Sequence, residues 1–75
     1  MRPPLGDREL DIMAALWRGG PGTVAEVRGR LPADLAYNTV LTILRNLEGK
    51  GYVGHTADGR LFTYHPAVTE REVQG

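Results

Sequence analysis

The chain contains no cysteine and no serine. The first absence excludes disulfide staples, thiolate metal sites and a cysteine nucleophile, and it fits a reducing compartment. With serine also missing, no nucleophile–base pairing is found, and no glycine pattern matches a phosphate-binding loop. No catalysis is expected. Apolar runs fall far short of the roughly 20 residues that span a bilayer. The start, Met1-Arg2-Pro3-Pro4-Leu5-Gly6-Asp7, lacks the apolar core of a secretory signal. A soluble cytoplasmic protein without cofactor, metal or membrane partner is expected. An excess of either charge is missing too, because nine Lys and Arg balance nine Asp and Glu. Many DNA-binding domains are basic, so this balance counts against nucleic-acid binding. The distribution leans the other way: residues 23–51 hold Arg28, Arg30, Arg45 and Lys50 against Glu26, Asp34 and Glu48, a weak positive bias.

What is present is enough for one small domain. The 75 residues are 41% hydrophobic, a globular fraction in a chain of marginal size. Leu10, Met13, Ala14 and Trp17 recur at i, i+3, i+4 and i+7, one face of a helix over residues 7–18. Asp7 is its expected N-cap, with Leu5 packing back on the face. That face assigns Trp17 to the core. Gly19-Gly20-Pro21-Gly22 then stops the helix. A second helix spans residues 23–31. Thr23 caps it, Glu26 completes a capping box, and Val24, Val27 and Leu31 share its apolar face. Pro32 ends it. The third helix runs from about Tyr37 to Lys50 with Val40, Ile43, Leu44 and Leu47 as its stripe. Asp34 is the plausible cap and Ala36 a poor one. Gly51 closes it after Lys50.

After Gly51 the period changes from helix to strand. Residues 52–56 and 60–65 read as strands, and Asp58-Gly59 between them is a hairpin signal. Phe62 and Tyr64 share a parity that should cover the core, with Leu61, Thr63 and His65 on the other side. Residues 67–75 read as the start of another helix capped by Thr69. Two helices joined by a short turn, then a hairpin, make a winged helix-turn-helix. The expected fold is thus mainly α with a small β-hairpin, three helices followed by a two-stranded wing, over residues 1–66.

In a helix-turn-helix the second helix of the pair enters the major groove. With Val40 at the centre of the buried face, Asn38, Thr42 and Arg45 point outward, flanked by Thr39 and Asn46. Asn suits adenine, Arg suits guanine, and Thr suits a thymine methyl or a phosphate. Polar residues opposite an apolar stripe also describe any solvated helix. Two Thr and two Asn in nine residues are poor helix formers, however, and a merely solvated face would favour Glu, Lys and Gln. Arg60, beside the hairpin tip, either reaches a phosphate or minor groove or is a solvated turn charge. Tyr37 either donates to a phosphate or packs on the turn. Thr23 can touch phosphate at a helix N-terminus as well as cap it. His55 and His65, with Asp58 the one close carboxylate, are a weak metal signal and read as exposed strand residues.

These segments resemble a known family. Ala36-Tyr37-Asn38-Thr39-Val40-Leu41-Thr42-Ile43-Leu44-Arg45-Asn46-Leu47, followed by Glu48-Gly49-Lys50-Gly51, looks like the recognition helix of the penicillinase-repressor (BlaI/MecI/CopY-type) family. Leu10-Asp11-Ile12-Met13 with Leu16-Trp17, Thr23-Val24-Ala25-Glu26-Val27, and Phe62-Thr63-Tyr64-His65-Pro66 are similar to further family motifs. The match covers about residues 7–72. It implies a bacterial transcriptional repressor that binds a palindromic operator as a homodimer and acts by occluding a promoter. It also implies that residues 67–75 begin a C-terminal dimerisation region, so that this piece alone is monomeric or weakly dimeric. Asn38 and Asn46 depart from the Thr and Arg common at those places, which implies an altered base preference and one phosphate contact fewer. The alternative class is a winged-helix protein-interaction module that does not bind DNA.

Overall fold

In the computed structural model, residues 3–74 are described. Three helices, α1 (Asp7–Gly19), α2 (Val24–Arg30) and α3 (Tyr37–Gly49), precede an antiparallel hairpin of β1 (Val53–Asp58) and β2 (Leu61–Pro66), and a last turn of helix, α4 (Glu70–Gln74), follows. This is the expected winged helix. The fully buried side chains Ile12, Met13, Leu16, Val27, Val40, Leu44, Leu47 and Tyr64 form its core.

Local chemistry sets the helix ends. Thr23 and Glu26 form the expected capping box: the Glu26 N–H donates to Thr23 Oγ1 at 3.2 Å and the Thr23 N–H to the Glu26 carboxylate at 2.9 Å. Leu31 leaves the helical region at φ −79°, ψ 148°, as a residue before proline should. Gly51 takes φ +88°, with Gly51 N–H on Glu48 O and Tyr52 N–H on Leu47 O. That pair of bonds is a Schellman closure of α3. Thr69 caps α4 through the Glu72 N–H.

Two expected caps are corrected. The N-cap of α1 is Gly6, not Asp7, and Glu9 reaches back to accept the Gly6 N–H at 2.9 Å. The N-cap of α3 is Ala36, which offers no side-chain acceptor. Asp34 lies outside, fully exposed, 3.7 Å from the Arg28 guanidinium.

The apolar face of α1 is also corrected. Ile12, Met13, Ala15 and Leu16 are buried, whereas Leu10 is 40% exposed and Ala14 only partly covered. This helix packs against α2, α3 and β2 together, so its buried arc is wider and rotated from the stripe that spacing alone suggests. Trp17 packs against the core at its edge, and its indole N–H donates to Val68 O at 3.0 Å.

The hairpin register pairs Asp58 with Leu61, leaving Gly59-Arg60 as a two-residue loop. Gly59 is at φ +63° and no other residue type has positive φ among those described, the Gly-first pattern of a type II′ turn. Asp58-Gly59 is therefore not the turn pair; Asp58 ends β1 and Arg60 sits at the tip itself. The base of the wing is pinned by a bridge between Gly22 and Tyr64, which exchange backbone bonds of 2.8 and 2.9 Å. Tyr64 fills the core as expected, but Phe62, of the same parity, does not: it is 42% exposed. The core ends beneath Tyr64, and the hairpin continues past it into solvent.

Candidate nucleic-acid interface

Asn38, Thr39, Thr42, Arg45 and Asn46 are all exposed. They project from α3 while Val40, Leu44 and Leu47 seat the opposite face in the core. Their i+3 and i+4 spacing puts them side by side along the helix. No acidic residue stands in its first turn. Ala36 leaves the first N–H groups of α3 without a side-chain acceptor, so the positive end of its dipole faces outward.

Beside this face lies a cleft of about 150 Å³ between α2, α3 and the wing, lined by Thr23, Tyr37, Arg45, Arg60, Leu61, Phe62 and Tyr64 among others. It brings together four residues singled out from sequence: Thr23, Tyr37, Arg45 and Arg60. Asn38, Thr39, Thr42 and Asn46 stay outside it on the open face. Within the cleft, burial pushes the Tyr64 hydroxyl above the usual tyrosine range and Glu48 adds to this, while the Arg45 guanidinium beside it works the other way. Thr23 is occupied by its cap, and the carboxylate of Glu26 closes the same helix end. That carboxylate opposes an anion at this position.

Sequence reasoning missed the apolar wall of the cleft. Leu61 is 63% exposed at the wing tip and Phe62 and Tyr37 are also open. It also misjudged the cations. Arg28 donates to Leu35 O and closes the turn between α2 and α3. Arg30 donates to Gly20 O at 2.7 Å and completes the end of α1. Its guanidinium lies over Gly19, where a Cβ would come within 2.7 Å of it. Lys50 pairs with Glu9 at 2.8 Å. Three of the four cations behind the supposed positive bias thus serve the fold, and Arg45 with Arg60 remain at the candidate surface. His55 and His65 lie on neighbouring strands but on opposite faces, since His55 pairs with Tyr64 and His65 with Gly54. Among the described residues no three His, Cys, Asp or Glu gather to hold a metal, and no helix is long and apolar enough to cross a membrane.

The chain is 45% identical over 65 residues to the transcriptional regulator BlaI of Mycobacterium tuberculosis, covering 83% of this chain and 47% of that protein. The solution structure of the DNA-binding domain of the repressor BlaI matches with a TM-score of 0.81 at 30% identity, over 93% of this chain and 88% of that one. The Bacillus licheniformis BlaI monomer in complex with the blaP half-operator matches with a TM-score of 0.77 at 30% identity, over 96% and 90%. The chain spans about half the length of the curated relatives it matches. The penicillinase-repressor family profile matches residues 5–75, and the chain belongs to that family.

Proposed function

We propose that this chain is the DNA-binding part of a transcriptional repressor, which lays the outer face of α3 in the major groove and sets the wing beside the neighbouring backbone. The observation that carries this is the exposed, acid-free row Asn38, Thr39, Thr42 and Arg45 on the helix of a fold that matches a repressor bound to a half-operator. Asn38, Thr39, Thr42 and Arg45 read base edges. Tyr37, Asn46, Arg60 and Thr23 contact phosphates or the wing-side groove, Thr23 through whatever its cap leaves free. Repression then follows from occupying a promoter, and no step of it needs catalysis or a cofactor.

A palindromic operator and a homodimer belong to the same proposal, with residues 67–75, including α4, as the beginning of the dimerisation region. Residues 1–66 then form the DNA-binding unit, and this piece alone binds one half-site weakly. The balanced charge and the exposed Leu61 and Phe62 favour a second reading, a winged-helix module that binds protein instead.

An amide-shift titration with the blaP half-operator and with a random duplex at low salt separates the two. Shifts concentrated in residues 36–46 and 59–62, with salt-sensitive residual binding to the random duplex, are expected of a DNA reader. Unmoved α3 amides at low salt would overturn the DNA reading.

A further inference from the structure

His55 stands where the wing leaves the core. Its partner across the ladder is the buried Tyr64, and beyond it residues 56–62 are exposed. A two-stranded hairpin has little stability of its own, so the direction of this outer half depends on how its base is held. At that base His55 Nδ1 lies 2.6 Å from Glu48 Oε2 of α3, with both side chains about one-third exposed, at 33% and 34%. The imidazole also lies against Phe62, with ring centroids 4.7 Å apart, and against Tyr64 at 5.5 Å. Phe62 is the first cleft-wall residue of the same strand face toward the tip. A single ring therefore links the recognition helix to the exposed part of the wing.

We propose that Glu48 and His55 are positioning residues whose contact sets the wing against α3, and with it the cleft into which duplex DNA docks. This rests on the DNA-binding reading given above. The groups facing His55 are Glu48 from α3, together with Tyr64 and Phe62 from β2. The contact with a carboxylate oxygen ties β1 to α3, and the ring contacts carry that tie to Phe62. Neither residue needs to touch DNA.

The test compares the wild type with E48A, H55F, the double variant E48A/H55F and H65Q at one pH and salt concentration. Two quantities are read: backbone order of residues 57–61 without DNA, from heteronuclear relaxation, and affinity for the blaP half-operator. H55F keeps a ring against Phe62 but loses the contact with Glu48, so the wing tip loses order and affinity falls by about two- to fivefold, the range of one partly exposed pair. E48A loses wing order too, and the double variant loses no more order than either alone, because both changes remove the same contact. H65Q keeps wild-type order and affinity, because His65 lies on the other face over Gly54. Wild-type wing order in H55F and E48A, or losses of order that add in the double variant, would overturn the proposal. Wing order that falls in these variants while no duplex binds at low salt would instead overturn the DNA-binding reading and leave the contact intact.

Discussion

The two helices of the helix-turn-helix use their polar side chains in opposite ways. In α2 nearly every one is consumed by the fold. Thr23 and Glu26 close its N-terminus, Arg28 closes the turn that follows, and Arg30 completes the end of α1. In α3 the N-terminus is bare, and among the described residues Asn38, Thr39, Thr42 and Asn46 make no side-chain bond within the protein. A helix that is self-satisfied serves as scaffold. A helix that leaves donors and acceptors open, on residues of poor helix propensity, has them available to a partner. On the DNA-binding reading, the difference also accounts for the absence of net charge: the charges are balanced by pairing within the scaffold, and few are left on the outer face of α3.

The comparison predicts a division of effects, stability on one side and binding on the other. The largest stability loss falls on Arg30→Ala. It removes a charged donor from Gly20 O and leaves the α1 terminus open, at a cost of about 1.5–3 kcal/mol, with half-site affinity unchanged in the fraction that stays folded. Denaturant melts and a binding titration check both halves. Arg45→Ala is its counterpart: a loss of about 1–3 kcal/mol in specific binding if it reads a guanine, with a smaller loss in melting from its bond to the Tyr64 hydroxyl. Equal affinity of this variant and wild type would remove Arg45 from the reading face.

A change at Ala36 can convert α3 toward the habit of α2. Its backbone is already extended at φ −66°, ψ 151°, the shape an N-cap requires. Ala36→Asp should therefore stabilise the domain by about 1 kcal/mol while weakening DNA binding, since a carboxylate then occupies the open helix end. Ala36→Ser, which caps without charge, should keep the stability gain and lose less binding. If Ala36→Asp binds DNA as well as wild type, the open terminus has no part in recognition. Smaller again is Arg60→Ala. The tip residue contacts backbone in this reading, so its loss should lower affinity for all sequences alike and reduce the salt slope by about one; a loss confined to one sequence would contradict that.

Much of this fold is legible in the sequence, and the part that is not has a common cause. Thr23 with Glu26, Pro32, Gly51 and Thr69 punctuate the chain through bonds to residues a few positions away, and each acts as its local chemistry dictates. The outward row on α3 was readable for the same reason, because Val40, Leu44 and Leu47 define a single buried face. Failures occur where the answer lies elsewhere in the chain. The buried arc of α1 depends on three neighbours at once, so Ile12 and Leu16 displace Leu10 and Ala14. Strand alternation assigns Phe62 a side but cannot say that the core stops at Tyr64. Asp34 has the right chemistry for a cap, yet it lies outside the helix near Arg28. Arg30 and Lys50 look like free cations until Gly20 O and Glu9 are brought to them from distant positions.

The smallest predicted effect is on acid stability, and it follows the same contrast. At α2 the Glu26 carboxyl is held below the usual range by the Thr23 N–H and hydroxyl, against a small opposing effect of burial. At the start of α1, burial pushes Glu9 up, but the Gly6 N–H and the Lys50 ammonium outweigh it and hold it below the usual range. A carboxyl with a lowered folded pKa stabilises the fold above its unfolded value, and that stabilisation disappears as pH falls through the folded value. Melting temperature should therefore stay level from neutrality down to about pH 4.5 and then decline. The decline should be shallower in Glu9→Gln and Glu26→Gln. The starts of α1 and α2 each carry a carboxylate to protonate, whereas the start of α3 carries none. Hydrogen exchange in mild acid should accordingly loosen amides 9–11 and 25–27 before 38–40. Simultaneous loosening of all three would mean that the α3 terminus depends on the scaffold caps and is not the independent, open end that its geometry describes.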